Sequence, residues 1–219
     1  MRKYQNYAVL WDMDGVLVDT GDFHYQSWKE TFEELDVPFD RDDFRRTFGM
    51  NNAGILEQIL RRKPEANEVT RISDKKESRF RELIKGKAEP LPGVLNWLKQ
   101  FHDWGLKQAI TSSAPLKNIE VLVAELKING FFDETVSAFD LPGKPNPDVF
   151  LKAAEALQIG PQNCIVIEDA IAGVEGAKRA GMRCVAVTTT NPANALDKAN
   201  LIFNDLGKMN KEDFLSLLG

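Results

Sequence analysis

Short apolar runs alternate with segments of helical periodicity along most of the chain. The runs predict strands at Tyr7–Trp11, Lys107–Thr111, Cys164–Ile167 and Cys184–Thr188, with weaker ones at Thr135–Ser137 and Leu201–Phe203. Several runs are apolar at consecutive positions, as in strands that are buried on both faces of a parallel sheet. Helices are predicted between them at Val94–Trp104, Leu116–Asn129, Pro147–Leu157 and Ala172–Ala180. This order predicts an α/β fold with a doubly wound, Rossmann-like parallel sheet.

One stretch, between the first two strands, departs from this alternation. From about Asp19 to Glu89 no buried strand is evident, and amphipathic helices are predicted at Phe23–Leu35, Phe44–Phe48, Ile55–Leu60 and Ile72–Ile84. The stretch ends at a rigid connector whose Pro92 suits the first turn of the next helix. The pattern predicts a core domain of residues 1–17 and 90–219 with an all-helical domain, residues 18–89, inserted in it. Its position after the first strand favours a cap over a site rather than a cover for one sheet face.

Composition and charge narrow the classes of partner. The chain has 219 residues, 43% of them hydrophobic. Its formal net charge is −5, whereas domains that bind duplex nucleic acid are usually basic. No apolar run reaches the length of a membrane span, and the N-terminal one is too short for a signal peptide. We therefore expect a cytoplasmic protein without nucleic-acid or membrane partners. No pattern fixes the oligomeric state, and a monomer is expected. Cys164 and Cys184 open apolar runs, which favours buried thiols over a disulfide.

Polar residues follow four of the predicted strands where each strand ends. They are Asp12 and Asp14, then Ser112 and Ser113, then Lys144, then Glu168 and Asp169. Sites in open α/β sheets form beyond the carboxyl ends of the strands, so these side chains are expected to meet. Two carboxylates about 4 Å apart repel by on the order of 4 kcal/mol at an effective dielectric near 20, and a divalent cation would relieve this repulsion. Oxygen ligands without His or Cys select Mg²⁺, which is therefore the expected cofactor.

The same residues suit phosphoryl transfer from a small phosphorylated substrate. An Asp such as Asp12 can attack phosphorus and form an aspartyl phosphate. Lys144 would offset the repulsion between the two anions, and Ser112 with Ser113 would donate hydrogen bonds to the transferring oxygens. Asp14 could protonate the leaving oxygen and later deprotonate water. One reaction thus accounts for the whole set.

These motifs resemble those of a known family. The segment Asp12–Leu17, Ser112, Lys144 with Pro145, and Glu168 with Asp169 resemble the four ordered motifs of the haloacid dehalogenase superfamily. The helical insertion resembles the C1 cap of its β-phosphoglucomutase-like group, and the likeness covers essentially the whole chain. Because the dehalogenases lack the second carboxylate, here Asp14, the resemblance implies a phosphatase or a phosphomutase.

The resemblance also implies roles for the motif residues. Asp12 corresponds to the nucleophile and Asp14 to the general acid and base, and both would contact the metal, Asp14 through its carbonyl. Asp169 corresponds to the remaining carboxylate that binds the metal. Glu168 would be either a second such ligand or a residue that contacts the ligands without binding the metal itself. The phosphate-binding positions are matched by Ser112, Lys144 and the backbone N–H of Ser113.

Three residues of the insertion bear on the substrate. His24 and Lys76 match substrate-facing positions of β-phosphoglucomutases that also occur in sugar-phosphate phosphatases; the alternative for each is a solvated helix surface. Where those mutases carry an Arg for a second phosphate, the chain has Asn52, which lacks the guanidinium fork. We therefore predict a Mg²⁺-dependent phosphatase acting on a sugar phosphate through an aspartyl phosphate, with a hexose phosphomutase as the alternative. A non-catalytic binding module is disfavoured because every expected charged position is present.

Overall fold

A six-stranded parallel sheet organises the computed structural model, which describes residues 3–218. The strands are β1 (Ala8–Trp11), β2 (Lys107–Ser112), β3 (Glu134–Ser137), β4 (Cys164–Glu168), β5 (Arg183–Val187) and β6 (Leu201–Phe203). Their order across the sheet is β3-β2-β1-β4-β5-β6. The predicted α/β class and doubly wound topology are confirmed, and each predicted strand differs from the observed one by at most one residue at either end. Alternation of short apolar runs was sufficient here because β1, β2, β4 and β5 are almost fully buried.

The described residues divide into two compact units. The first, called the α/β unit, consists of 3–19 and 89–218, and the second, called the helical unit, is Thr20–Ala88. The predicted insertion, 18–89, is two residues longer at its start and one at its end. The predicted core domain also includes residues 1, 2 and 219, which lie outside the described residues. The division of function between the two units stays a prediction.

The helical unit consists of amphipathic helices around an aromatic core. The helices are α1 (Gly21–Glu33), α2 (Arg41–Thr47), α3 (Asn52–Leu60) and α4 (Ala66–Ile84). The predictions start α2 and α3 three residues late and α4 six residues late, because apolar periodicity detects a helix only from its first buried turn. Capping residues set the true starts: Asp40 accepts hydrogen bonds from the first turn of α2, and Asn51 from that of α3. The buried core includes Trp28, Phe32 and Leu56.

In the α/β unit, helices flank the sheet and bury it. They are α5 (Val94–Trp104), α6 (Leu116–Leu126), α7 (Asp148–Leu157), α8 (Ile171–Arg179) and α9 (Lys211–Leu215). The predicted extension of α6 to Asn129 is wrong, because Lys127 adopts a left-handed conformation that ends the helix. Pro92 does not lie in the first turn of α5, since Gly93 is the N-cap and takes a φ of 84°. None of the described helices combines the length and apolar character that crossing a bilayer requires.

The two cysteines lie in the core of the α/β unit. Cys164 and Cys184 are free and buried, so the expectation of thiols is confirmed and the disulfide alternative is excluded. Burial raises the pKa of the Cys164 thiol to about 12. A thiol that remains protonated is a poor nucleophile and metal ligand, so both cysteines serve as small apolar residues.

We expect Gly93→Ala to destabilise the protein more than Gly181→Ala. Both glycines have a left-handed φ, 84° and 72°, so both variants incur backbone strain of about 1–2 kcal/mol. A Cβ at Gly93 would also lie 2.3 Å from the Gly207 nitrogen and 2.4 Å from the Leu206 carbonyl carbon, whereas Gly181 has nothing within 4 Å. Such overpacking adds about 1–3 kcal/mol. Urea unfolding of both variants measures the difference, and equal losses would contradict the packing argument.

Candidate active site

The polar strand ends meet where the strand order reverses. β1 and β4 are neighbours in the sheet although they are far apart in sequence, and Trp11 pairs with Ile167. The parallel pairing continues for one more step, because the Asp12 N–H donates to the Ile167 carbonyl at 3.0 Å. Asp12 therefore lies beside the start of the Glu168–Asp169 segment. Crevices at such switch points are where open α/β sheets bind ligands.

Lys144 joins this site from the segment before α7. Its Nζ donates to Asp12 Oδ1 at 2.5 Å, to Glu168 Oε1 at 2.7 Å and to the Thr111 carbonyl at 3.2 Å. These three acceptors come from the ends of β1, β4 and β2. Burial lowers the pKa of Lys144, but the charges of Asp12 and Glu168 outweigh it and raise that pKa. The side chain is therefore a buried ammonium ion at neutral pH.

Glu168 has both carboxylate oxygens engaged. While Oε1 accepts from Lys144, Oε2 accepts from the backbone N–H groups of Asp169 at 2.9 Å and Ala170 at 3.0 Å. A Cβ at Gly173 would lie 1.9 Å from this carboxylate. The absence of a side chain at Gly173 therefore leaves room for the Glu168 carboxylate.

Asp169 is held by a loop that the sequence did not single out. The Thr190 hydroxyl donates to Asp169 Oδ2, and the Asn191 side-chain amide donates to the Asp169 carbonyl at 3.0 Å. Gly15, with a φ of 83°, leaves space for the same carboxylate, since a Cβ there would lie 1.9 Å from Asp169 Oδ2. The sequence could have indicated Thr190 only by its position, because Thr190 follows the end of β5 and so lies at the same edge of the sheet as the other site residues.

The remaining predicted residues of the α/β unit lie at this edge as well. Ser112 ends β2, is buried, and its Oγ accepts a hydrogen bond from the Ala114 N–H at 3.1 Å. Ser113 is half-buried in the turn that precedes α6. Asp14 is half-buried, and its charge is near enough to contribute to raising the pKa of Asp12. The structure thus collects Asp12, Lys144, Glu168 and Asp169 in direct contact, with Ser112, Ser113 and Asp14 on the flanking loops.

The carboxylates outnumber the cations in the described site. Oxygen atoms of Asp12, Glu168 and Asp169 lie within 4.8 Å of one another, and Lys144 is the ammonium that contacts two of them. Burial raises the pKa of Asp12 to about 8; Lys144 acts against this shift, and the charges of Glu168 and Asp14 add to it. Burial likewise raises the pKa of Asp169 well above its usual value. Ligand oxygens around Mg²⁺ lie up to about 4.2 Å apart, so this all-oxygen donor set fits the ion after a small adjustment.

The helical unit has a second buried polar cluster, which contains its three predicted site residues. Lys76 Nζ lies 2.7 Å from His24 Nδ1 and 3.0 Å from Glu77 Oε1, and the Asn52 amide donates to the same Glu77 oxygen at 2.8 Å. The His24 ring stacks on Phe80 with centroids 4.0 Å apart. Their predicted contact with substrate stays a prediction.

The burial of this cluster was not anticipated from the sequence. Lys76 is 2% exposed, so a solvated helix surface is wrong for it, and His24 is half-buried. Glu77, which the sequence analysis missed, is 4% exposed. Burial raises its pKa, but Lys76, His24 and the hydrogen bond from Asn52 outweigh burial and lower it. Glu77 is therefore a carboxylate at neutral pH and balances the charge of Lys76.

Comparison with known proteins identifies the family. Residues 9–187 match the model of the family described as haloacid dehalogenase-like hydrolase. The chain belongs to this family. It is 36% identical to the β-phosphoglucomutase of Bacillus subtilis over 87% of each protein. It is also 31% identical to the phosphorylated carbohydrates phosphatase of Thermotoga maritima, over 89% of this chain and 92% of that one.

A solved structure extends the likeness to the fold. The crystal structure of β-phosphoglucomutase from Clostridium difficile superimposes with a TM-score of 0.87 at 28% identity and 96% coverage of both chains. The resemblance to the β-phosphoglucomutase-like group of the haloacid dehalogenase superfamily is thereby confirmed.

For the metal-free protein we expect the free energy of unfolding to decrease between pH 4 and pH 8. The pKa of Asp12 is about 8 in the folded protein and about 3.9 in an unfolded chain. The folded state therefore holds this proton more tightly in this window, so the contribution of Asp12 to stability is greatest below about pH 4 and is lost as the pH rises to about 8. The loss should amount to a few kcal/mol, since a tenfold difference in proton affinity between the two states corresponds to about 1.4 kcal/mol.

Urea unfolding in the presence of a chelator, measured across this pH range, checks the expectation. Asp12→Asn provides the comparison, because its amide does not titrate and most of the decrease assigned to Asp12 should vanish. Addition of Mg²⁺ at pH 8 should restore stability to the original protein. A profile that is identical in both proteins would contradict the assignment.

Proposed function

We propose that the protein is a Mg²⁺-dependent phosphatase that hydrolyses a sugar phosphate through an aspartyl phosphate on Asp12. The observation that carries this proposal is the contact of Lys144 Nζ with Asp12 Oδ1 at 2.5 Å, inside a cluster of three buried carboxylates. When Asp12 is ionised, such a pair offers an anionic nucleophile beside a fixed cation. The arrangement suits attack on an anionic phosphoryl group, which requires positive charge nearby.

In the first step an Asp12 oxygen attacks phosphorus while the bond from phosphorus to the sugar oxygen breaks. Asp14 gives its proton to that leaving oxygen, so the sugar departs as a neutral alcohol. In the second step Asp14 takes a proton from water, and the water oxygen attacks phosphorus. The bond from phosphorus to Asp12 then breaks, which releases phosphate and restores the Asp12 carboxylate.

The other residues of the site bind and orient the phosphoryl group. Lys144, the Ser112 hydroxyl and the Ser113 backbone N–H would hold its oxygens, where negative charge must be stabilised in both steps. Mg²⁺, held by Asp12, Asp169 and the Asp14 carbonyl, would supply further positive charge when bound. Glu168 already accepts three hydrogen bonds, which favours a role as the partner of Lys144 over one as a metal ligand.

The polar cluster of the helical unit favours hydrolysis over a mutase reaction. A mutase must hold the second phosphate of a bisphosphate, and Asn52 stands where β-phosphoglucomutases carry an Arg for it. Here the Asn52 amide is engaged in a hydrogen bond to Glu77, and an amide does not supply the positive charge that binding of a second phosphate requires. We propose that His24, Asn52 and Lys76 bind the uncharged, hydroxyl-bearing part of the substrate. The Thermotoga relative, described as a phosphatase of phosphorylated carbohydrates, supports this choice.

A hexose phosphomutase is the second candidate. It is favoured by the 36% identity to a protein described as a β-phosphoglucomutase and by the presence of His24 and Lys76. Both candidates use the same chemistry at Asp12, and they differ in whether water or a second sugar hydroxyl receives the phosphoryl group.

Asp12→Asn should reduce Mg²⁺-dependent phosphate release by at least about 10³-fold, because Asn has nearly the same shape but lacks the nucleophilic charge. The measurement is phosphate release from a panel of sugar phosphates. Asp197→Asn, at an exposed position of the same unit, is the matched control and should keep the original rate. Substantial turnover by Asp12→Asn would exclude the proposed nucleophile.

Product analysis separates the two candidates. With β-glucose 1-phosphate as substrate, a phosphatase releases glucose and phosphate, whereas a mutase forms glucose 6-phosphate faster than free phosphate and is stimulated by a hexose bisphosphate. We expect phosphate release to be faster and a bisphosphate not to stimulate it. Faster formation of glucose 6-phosphate would instead establish the mutase.

A further inference from the structure

The loop after β5 contacts Asp169 twice, through consecutive residues. The Thr190 hydroxyl donates to the carboxylate at Oδ2, and the Asn191 amide donates to the backbone carbonyl of the same Asp169 at 3.0 Å. One bond restrains the side chain and the other restrains the main chain. Two contacts of different kinds on one residue indicate that the loop fixes the position of Asp169.

The hydrogen bonds of Lys144, the ammonium group within the described part of the site, go to acceptors other than Asp169. Asp169 therefore depends on the loop after β5. Lys144 Nζ contacts Asp12, Glu168 and the Thr111 carbonyl. The Asp169 carboxylate is 1% exposed and adjoins the carboxylates of Asp12 and Glu168, so solvent contributes little to its stabilisation. The Thr190 hydroxyl supplies a hydrogen-bond donor at this buried carboxyl group.

Gly15 lies against the same carboxylate oxygen. A Cβ at Gly15 would lie 1.9 Å from Asp169 Oδ2 and 3.0 Å from Thr190 Oγ1. The backbone of the Gly15 turn and the Thr190 hydroxyl therefore both adjoin Oδ2. Packing of Thr190 itself does not explain the arrangement, because Thr190 is an exposed residue.

We propose that Thr190, assisted by Asn191, is a positioning residue that holds the Asp169 carboxylate by Oδ2 and leaves Oδ1 available to a divalent cation. The inference rests on the proposed function, because it assigns Asp169 to the metal site. Groups that orient a metal ligand in this way commonly change metal affinity by about 10–100-fold when they are removed. Thr190 and Asn191 also lie beyond residues 9–187, the part of the chain that the family model matches.

The test compares three variants by calorimetric titration of the full-length protein with Mg²⁺ alone. Thr190→Val keeps the shape of the side chain and removes the hydroxyl, and Thr190→Ser keeps the hydroxyl. Thr189→Val makes the same change at the exposed neighbouring position. We expect a Kd for Mg²⁺ that is about 10–100-fold higher in Thr190→Val and close to the original in the other two.

Binding of Mn²⁺, followed by electron paramagnetic resonance, gives a second readout that does not depend on turnover. Phosphate release by Thr190→Val should approach the original rate at saturating Mg²⁺, since the variant keeps Asp12 and Asp14. Unfolding of the metal-free variants by urea confirms that each one is folded.

The outcomes separate this inference from the proposed function. An unchanged Kd in Thr190→Val, or an equal loss in Thr190→Ser or Thr189→Val, would overturn the positioning role while leaving the phosphatase proposal intact. Failure of the original protein to bind either cation would overturn the metal site of the proposed function itself.

Discussion

An imbalance of charge in a buried space governs the architecture of the α/β unit. The carboxylates of Asp12, Glu168 and Asp169 adjoin one ammonium, that of Lys144, and burial makes each unpaired charge expensive. The surrounding structure compensates with fixed donors: two backbone N–H groups on Glu168 and the Thr190 hydroxyl on Asp169. The negative charge that these groups carry when they are ionised is what a divalent cation would neutralise, and it is the physical basis of the proposed chemistry.

The topology explains why these groups can be brought together without strain elsewhere. Lys144 bonds to the ends of β1, β2 and β4, which are adjacent in the sheet order. One long side chain therefore connects three strand ends, and its Nζ lies over the buried Phe150 ring, 5.2 Å from the ring centroid. Because strands buried on both faces have little freedom to shift, the polar ends keep a fixed spacing. Fixed spacing lets the site present its charges without reorganisation during a reaction.

The sequence was enough to predict the sheet and the set of residues at its carboxyl edge, because strand polarity alone determines which ends meet. The sequence did not predict contacts that arise from tertiary packing. Thr190 lies in a Thr-Thr-Thr-Asn-Pro segment that has the composition of a turn, and its hydrogen bond joins residues 21 positions apart. Glu77 adjoins a charge-rich helical segment and gave no sign of burial. The five-residue α9 was missed because it is too short to show a periodic pattern.

The two polar clusters differ in their charge balance, and this difference bears on the substrate. The carboxylates of the α/β unit leave a net negative charge that calls for a cation, whereas Lys76 and Glu77 in the helical unit compensate each other. A cluster in which an ammonium and an amide both donate to one carboxylate presents polarity without net charge from these three groups. Hydroxyl groups can bond to such a surface by exchanging donors and acceptors, but a second phosphate would need an excess of positive charge. This charge balance is the reason that the proposed function assigns a carbohydrate with a single phosphate, rather than a bisphosphate, as the substrate.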